Sequence, residues 1–168
     1  MPESAEEREK RGREAAIEGF ANELIACGIL MKRYGNASQV SLPLSSYDII
    51  VARKMQDGSE DIIRVQSKTA SSSVHFVSGS RGGVDRTYKS GVKEYIQTPK
   101  HSDCVMGVHH ENNTIDLYFV PTLLIKEFGQ KSISLSRIQP LKNNYDVFEH
   151  CKDRDYILKK AREYHLIT

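Results

Sequence analysis

The sequence predicts an α/β fold in which a mixed central β-sheet is flanked by an N-terminal and a C-terminal helix. Apolar residues at helical spacing near each end of the chain predict the two helices, and short β-type runs divided by turn residues predict the sheet between them. At 168 residues the chain has the length of one domain, and 39% hydrophobic with 27% charged residues allows a buried core. A single domain over residues 1–168 is therefore expected, with no internal repeat.

The first helix is expected from Ala5 to Arg33, because Ile17, Phe20, Ala21, Leu24, Cys27 and Met31 recur at helical spacing and should face inward. Ser4 and Glu7 form a capping box at its start, and Gly35-Asn36 marks its end. Three β-type runs follow, Ser38 to Leu42, Tyr47 to Arg53 and Asp61 to Thr69, with turn signals at Pro43 and Asp57-Gly58. The second and third should pair as a hairpin. The third alternates, so that Ile62, Arg64, Gln66 and Lys68 share one face and Ile63, Val65, Ser67 and Thr69 the other. The Ser/Gly-rich stretch after it reads as a loop centred on Ser78 to Gly83, and Tyr88 to Gln97 fits either a short helix or an extended crossover. Two strands, Asp103 to His109 and Thr114 to Val120, precede a C-terminal helix from Asp146 to Tyr164. That helix should turn Val147, Phe148, Cys151, Tyr156, Ile157, Ala161 and Tyr164 inward.

Composition narrows the function classes. No stretch has the length of uncharged apolar residues that a membrane span needs, and the charged start, MPESAEEREKRGREAA, is unlike a secretory signal, so a soluble cytoplasmic protein is expected. Cys27, Cys104 and Cys151 match neither a disulfide framework nor a zinc spacing and read as reduced, buried thiols. The balance of 24 basic against 22 acidic residues gives no bulk attraction to nucleic acid, so charge distribution must decide. From Arg64 to Lys100 seven basic residues face two acids, which points to one basic surface.

Four residues are out of place for purely structural roles. Glu23 falls within or beside the apolar stripe of the first helix, where a carboxylate is costly unless paired or metal-bound. Asp48 opens the apolar strand run Ile49-Ile50-Val51, and Asp is depleted in strands. Gln66 and Lys68 point the same way from the next strand of the hairpin. Phosphodiester hydrolysis needs a hard cation to polarise the phosphate and activate water, and Mg²⁺ or Mn²⁺ favours carboxylate and amide oxygens while keeping several waters. Asp48 and Gln66 can hold that ion, Glu23 adds a further oxygen ligand directly or through water, and Lys68 can position or deprotonate the attacking water.

In these residues the sequence resembles the PD-(D/E)XK nuclease superfamily, in the branch where glutamine replaces the second acid. The resemblance rests on Glu23 in AIEGFANELIACG, Asp48 in SSYDIIVA, and Gln66 with Lys68 in IRVQSKTA, and extends over Ala16 to Pro121 through SDCVMGVHH and IDLYFVP. It is nearest to small homing endonucleases of group I introns and to archaeal Holliday-junction resolvases. It implies a restriction-endonuclease-like core and a Mg²⁺- or Mn²⁺-dependent DNA endonuclease with Glu23, Asp48, Gln66 and Lys68 as catalytic residues. Tyr47 stands where the family often has proline, and the neutral Gln66 shifts the weight of metal binding onto Asp48 and Glu23.

DNA would be held through its phosphates by Ser71 and Ser72 beside the site and by Arg81, Arg86, Lys89 and Lys93 in the loop beyond it. A weaker second basic cluster comprises Lys126, Lys131, Arg137 and Lys142. Cutting both strands of a duplex with so small a chain implies a homodimer or larger homo-oligomer. The competing readings are a nucleic-acid-binding module of the same fold without cleavage, and an unrelated α/β interaction protein.

Overall fold

A computed structural model describes residues 2–42, 44–80 and 93–168. The chain begins with helix α1 (Ala5–Tyr34), followed by strands β1 (Ala37–Gln39), β2 (Ile49–Lys54), β3 (Glu60–Thr69), β4 (Ser73–His75), β5 (Val77–Ser80), β6 (Lys93–Ile96), β7 (Cys104–Glu111) and β8 (Thr114–Pro121). Helix α2 (Thr122–Phe128), strand β9 (Ser132–Ser134), a 3₁₀ turn (Gln139–Leu141) and helices α3 (Tyr145–Glu149) and α4 (Arg154–Glu163) complete it.

The central sheet runs β1-β2-β3-β7-β8. Neighbours are antiparallel except β3 and β7, which run parallel, so the sheet is mixed as predicted. The hairpin of β2 and β3 closes where the sequence places it. Gly58 takes φ +84, open to glycine without strain, and the Asp57 carboxylate accepts from the Ser59 N–H at 2.9 Å.

Alternation divides the sheet into two faces. Ile63 and Val65 of β3 join Ile49, Val51 and Met106 beneath α1 in one apolar cluster, which α3 extends with Phe148. The opposite face carries Val105, Tyr118 and Val120, covered by α2, α4 and the small β4-β9 pair. Close approach on this second face depends on Gly107, which sits opposite Lys68 in the parallel pair. A Cβ at Gly107 would lie 2.5 Å from Val74 Cγ2 and 3.3 Å from Ala70 Cβ. Gly107→Ala is therefore expected to destabilise the fold by about 1–3 kcal/mol, measured as a lower denaturant midpoint.

Several expectations need correction. The stripe predicted to be inward on α1 largely faces solvent: Ile17 is 69%, Phe20 60%, Leu24 47% and Met31 48% exposed. Cys27 is buried as expected, and the rest of the buried face is Asn22, Ala26 and Leu30. The helix carries two apolar stripes, and periodicity cannot tell which one meets the sheet. The first strand is shorter than Ser38 to Leu42, ending at Gln39. Part of the expected loop, 77–80, is strand β5, paired antiparallel with β6, which resolves the ambiguous segment as extended at 93–96. The C-terminal helix is two helices. Asp153 caps the start of α4 by accepting from the Tyr156 N–H at 3.1 Å, a local bond that replaces helical continuation from α3. Val147, Phe148, Cys151, Ile157 and Ala161 are buried all the same, whereas Tyr156 and Tyr164 are only partly so.

All three cysteines are free and buried. Among the described residues no helix is long and apolar enough to cross a membrane.

Candidate active site

Asp48 is positioned by the hairpin itself. Its N–H donates to the Val65 carbonyl at 2.8 Å, continuing the β2-β3 ladder by one residue and setting its side chain beside Gln66. The carboxylate Oδ2 accepts from Gln66 Nε2 at 2.7 Å and from the Ser67 N–H at 2.8 Å. Lys68, two residues along the same face, donates from Nζ to the Val77 carbonyl of β5 at 3.0 Å.

Glu23 arrives from the helix layer on the other face of the sheet. Its Oε1 accepts from Gln39 Nε2 at 2.7 Å, and Gln39 is the last residue of β1. The neighbouring Val40 N–H donates to the Asp48 carbonyl at 2.7 Å, so the strand end that holds Glu23 through Gln39 is itself bonded to Asp48.

The electrostatics follow from this crowding. Burial raises the Asp48 carboxyl above its ordinary range, against the opposing pull of the Ser67 N–H and the Lys68 charge. Burial also raises Glu23, the negative charge of Asp48 raises it further, and the Gln39 bond partly offsets both. Desolvation lowers the Lys68 ammonium, with Asp48 acting in the opposite sense. A half-buried aspartate whose charge raises Glu23 and props up a desolvated lysine links the three groups in one cluster, the kind of perturbation that accompanies functional sites.

A divalent ion would meet a sparse donor set at this corner. Among the described residues no three His, Cys, Asp or Glu side chains gather as a cage. Asp48 and Glu23 with the Gln66 amide oxygen make two carboxylates and one neutral ligand, the sparse set that Mg²⁺ takes while keeping waters. Repulsion between the carboxyls is what a cation would relieve. In this rotamer, however, Gln66 turns its NH₂ toward Asp48, and its oxygen lies 3.5 Å from Gln97 Nε2.

Gln97 and Gln39 are contributors that sequence reasoning missed. Gln97 is 1% exposed; its Nε2 donates to Ser78 Oγ at 3.0 Å and the Ser46 carbonyl at 3.3 Å, and its Oε1 accepts from Ser102 Oγ at 2.8 Å. It thereby ties β5, the loop before β2 and the loop before β7 around Gln66. No local pattern flags either glutamine, since both roles arise from contacts distant in sequence.

The expected DNA contacts divide. Ser71 and Ser72 are exposed just beyond β3. Lys93 opens β6, opposite Ser80, while Arg81, Arg86 and Lys89 lie outside the described residues. Arg64, counted in the basic surface, is engaged structurally: its Nη2 and Nε donate to Asp103 at 2.8 and 3.1 Å. In the second cluster, Lys142 lies 4.0 Å from Asp116 and Arg137 packs over the Phe128 ring. A cavity of about 560 Å³ between Ile96, Leu123, Ile125 and Lys131 is reached by Gln97 but has none of Glu23, Asp48, Gln66 and Lys68 in its lining.

The mixed sheet and its flanking helices form a fold shared with a solved structure. The similarity is to a solved structure, that of the bacterial homing endonuclease I-Ssp6803I, with a TM-score of 0.59 at 14% identity over 88% of this chain and 95% of that one. No family model and no curated protein sequence matches the chain.

Proposed function

We propose that the chain is a metal-dependent DNA endonuclease of the PD-(D/E)XK superfamily, in its D…QxK branch, hydrolysing phosphodiester bonds with Mg²⁺ or Mn²⁺. The observation that carries this reading is the coupled cluster of Asp48, Gln66 and Lys68 on neighbouring strands with Glu23 within reach of the Asp48 charge. The fold likeness to a homing endonuclease supports it and favours the homing type over the restriction and junction-resolving types.

The bound cation would polarise the scissile phosphate and acidify a water. Asp48 and Glu23 supply the negative oxygens that hold it, and the Gln66 oxygen adds a neutral ligand. Lys68, desolvated and lowered, would orient the attacking water and take its proton. Ser71, Ser72 and the basic residues Arg81, Arg86, Lys89 and Lys93 follow the catalytic strand and would track the DNA backbone.

One observation favours a second reading, a DNA-binding module without cleavage: Gln66 presents nitrogen, not oxygen, to Asp48. Incubation with plasmid, linear and four-way-junction DNA, with and without Mg²⁺, separates the two. The endonuclease gives Mg²⁺-dependent products whose pattern identifies the substrate. Salt-dependent gel retardation with every DNA left intact would replace it with the module, and absence of any retardation would leave an α/β interaction protein.

A further inference from the structure

Gln66 and Gln97 face each other, and an amide has one donor end and one acceptor end. Asp48 Oδ2 and the Ser67 carbonyl can only accept, so the end of Gln66 that they meet, at 2.7 and 3.3 Å, is its nitrogen. The Ser46 carbonyl can likewise only accept, so the end of Gln97 facing it at 3.3 Å is also nitrogen. That same nitrogen meets Gln66 Oε1 at 3.5 Å. The setting of one amide therefore constrains the other, and because Gln97 is buried, two like ends face to face would leave polar groups unsatisfied.

We infer that Gln97 is a positioning residue for the cation site: it holds Gln66 with its nitrogen toward Asp48 until a divalent ion binds, and turns over together with Gln66 when one does. The inference rests on the endonuclease reading, in which Gln66 gives its oxygen to the ion. Turning the Gln66 amide over brings Oε1 to the Asp48 side and sends Nε2 toward Gln97. Two nitrogens then meet unless Gln97 also turns and offers Oε1. Its other partners decide how hard that turn is. Ser102 Oγ donates to Gln97 Oε1 at 2.8 Å, and Ser78 Oγ accepts from Nε2 at 3.0 Å. A hydroxyl both donates and accepts, so each of these bonds can reverse in place. The Ser46 carbonyl cannot reverse, and it is the catch that holds the pair in the metal-free setting. Only side chains need to move, while the Gln97 N–H stays on the Phe76 carbonyl at 2.9 Å.

Without an ion, a turned Gln66 would set its oxygen against the Asp48 carboxylate and the Ser67 carbonyl, where nothing offsets the repulsion. Nitrogen toward Asp48 is then the setting of the empty site, not the mark of a lost one. Binding of the ion replaces the two bonds from Gln66 Nε2 and breaks the one from Gln97 Nε2 to Ser46, so Gln97 lowers the affinity of the site without touching the ion.

The test is calorimetric titration of the full chain with Mn²⁺, without DNA, for the wild type, Gln97→Met, Gln66→Glu and the double variant. Gln97→Met lets Gln66 turn with no Ser46 bond to break, so Mn²⁺ should bind about threefold to tenfold more tightly. A glutamate at position 66 shows oxygen at both ends and has no turn to make. In that background Gln97→Met should change the affinity by less than about twofold. An equal effect in both backgrounds, which lost packing alone would give, overturns the inference, and so does weaker binding in Gln97→Met. The wild type supplies a second measurement that needs no variant to fold. On saturation with Mg²⁺, the nuclear Overhauser contacts of the Gln97 NH₂ should move from Ser78 to Ser102, and contacts that stay on Ser78 while Mg²⁺ binds overturn the inference. If metal binds and DNA is cut while Gln97 keeps its setting, only the inference fails. If neither Mn²⁺ nor Mg²⁺ binds and no DNA is cut, the nuclease reading fails and the inference with it.

Discussion

Asp48→Asn should cut the Mg²⁺-supported cleavage rate by about 10²–10³-fold while raising the melting temperature at neutral pH. The substitution keeps the shape and leaves an amide oxygen to accept from the Ser67 N–H and the Gln66 NH₂, the two bonds that Oδ2 accepts in the native chain. It removes only the charge. Because burial raises the folded-state pKa of Asp48, the protonated form is the one the fold favours. The stabilising contribution of that proton is complete below the unfolded pKa and is lost as pH rises through the folded one, so at neutral pH the ionised carboxylate costs stability. Asparagine removes the cost along with the metal affinity. The gap in melting temperature between variant and wild type should close as pH falls through the folded pKa of Asp48. Cleavage and melting measured on the same two preparations give the result, and a variant that cuts normally would remove Asp48 from the chemistry.

Such a trade of stability for charge explains why part of this site is legible in sequence. Asp48 stands out because a strand-opening acid before Ile49-Ile50-Val51 has no packing reason to be there, and the period of two sets Gln66 and Lys68 on one face. The hairpin then follows from Asp57-Gly58, and the sheet from its five apolar runs. What could not be read are choices made between elements. Which of two stripes on α1 is buried depends on the sheet it meets, so Phe20 and Leu24 were expected inside and lie outside. Gln39 and Gln97 acquire their roles from Glu23 and Gln66, far away in the chain, and a lone glutamine carries no local signal. The break between α3 and α4 turns on a single Asp153 cap inside an otherwise continuous helical pattern.

Lys68 gives the second large effect. Lys68→Met keeps the aliphatic stem and deletes the amine, and should slow cleavage by about 10²–10⁴-fold with DNA retention unchanged within a few-fold. Whether the amine moves a proton or only offsets phosphate charge is decided by Lys68→Arg. A guanidinium supplies the same charge and cannot give up its proton at any accessible pH. Desolvation in the corner lowers the lysine, so the neutral amine is reached below the usual lysine range, while the bond from Nζ to the Val77 carbonyl at 3.0 Å fixes where that amine sits. The wild-type rate should therefore climb with pH along a limb that Lys68→Met abolishes, and Lys68→Arg should be as slow as the methionine variant with the limb equally absent. Full activity in Lys68→Arg would reduce the residue to an electrostatic role and leave the proton to solvent. The limb also reports on the neighbouring acid, because Asp48 is the charge that holds the Lys68 pKa up against desolvation. In the residual activity of Asp48→Asn the limb should move to lower pH, and a limb that stayed in place would mean the two groups do not share one site.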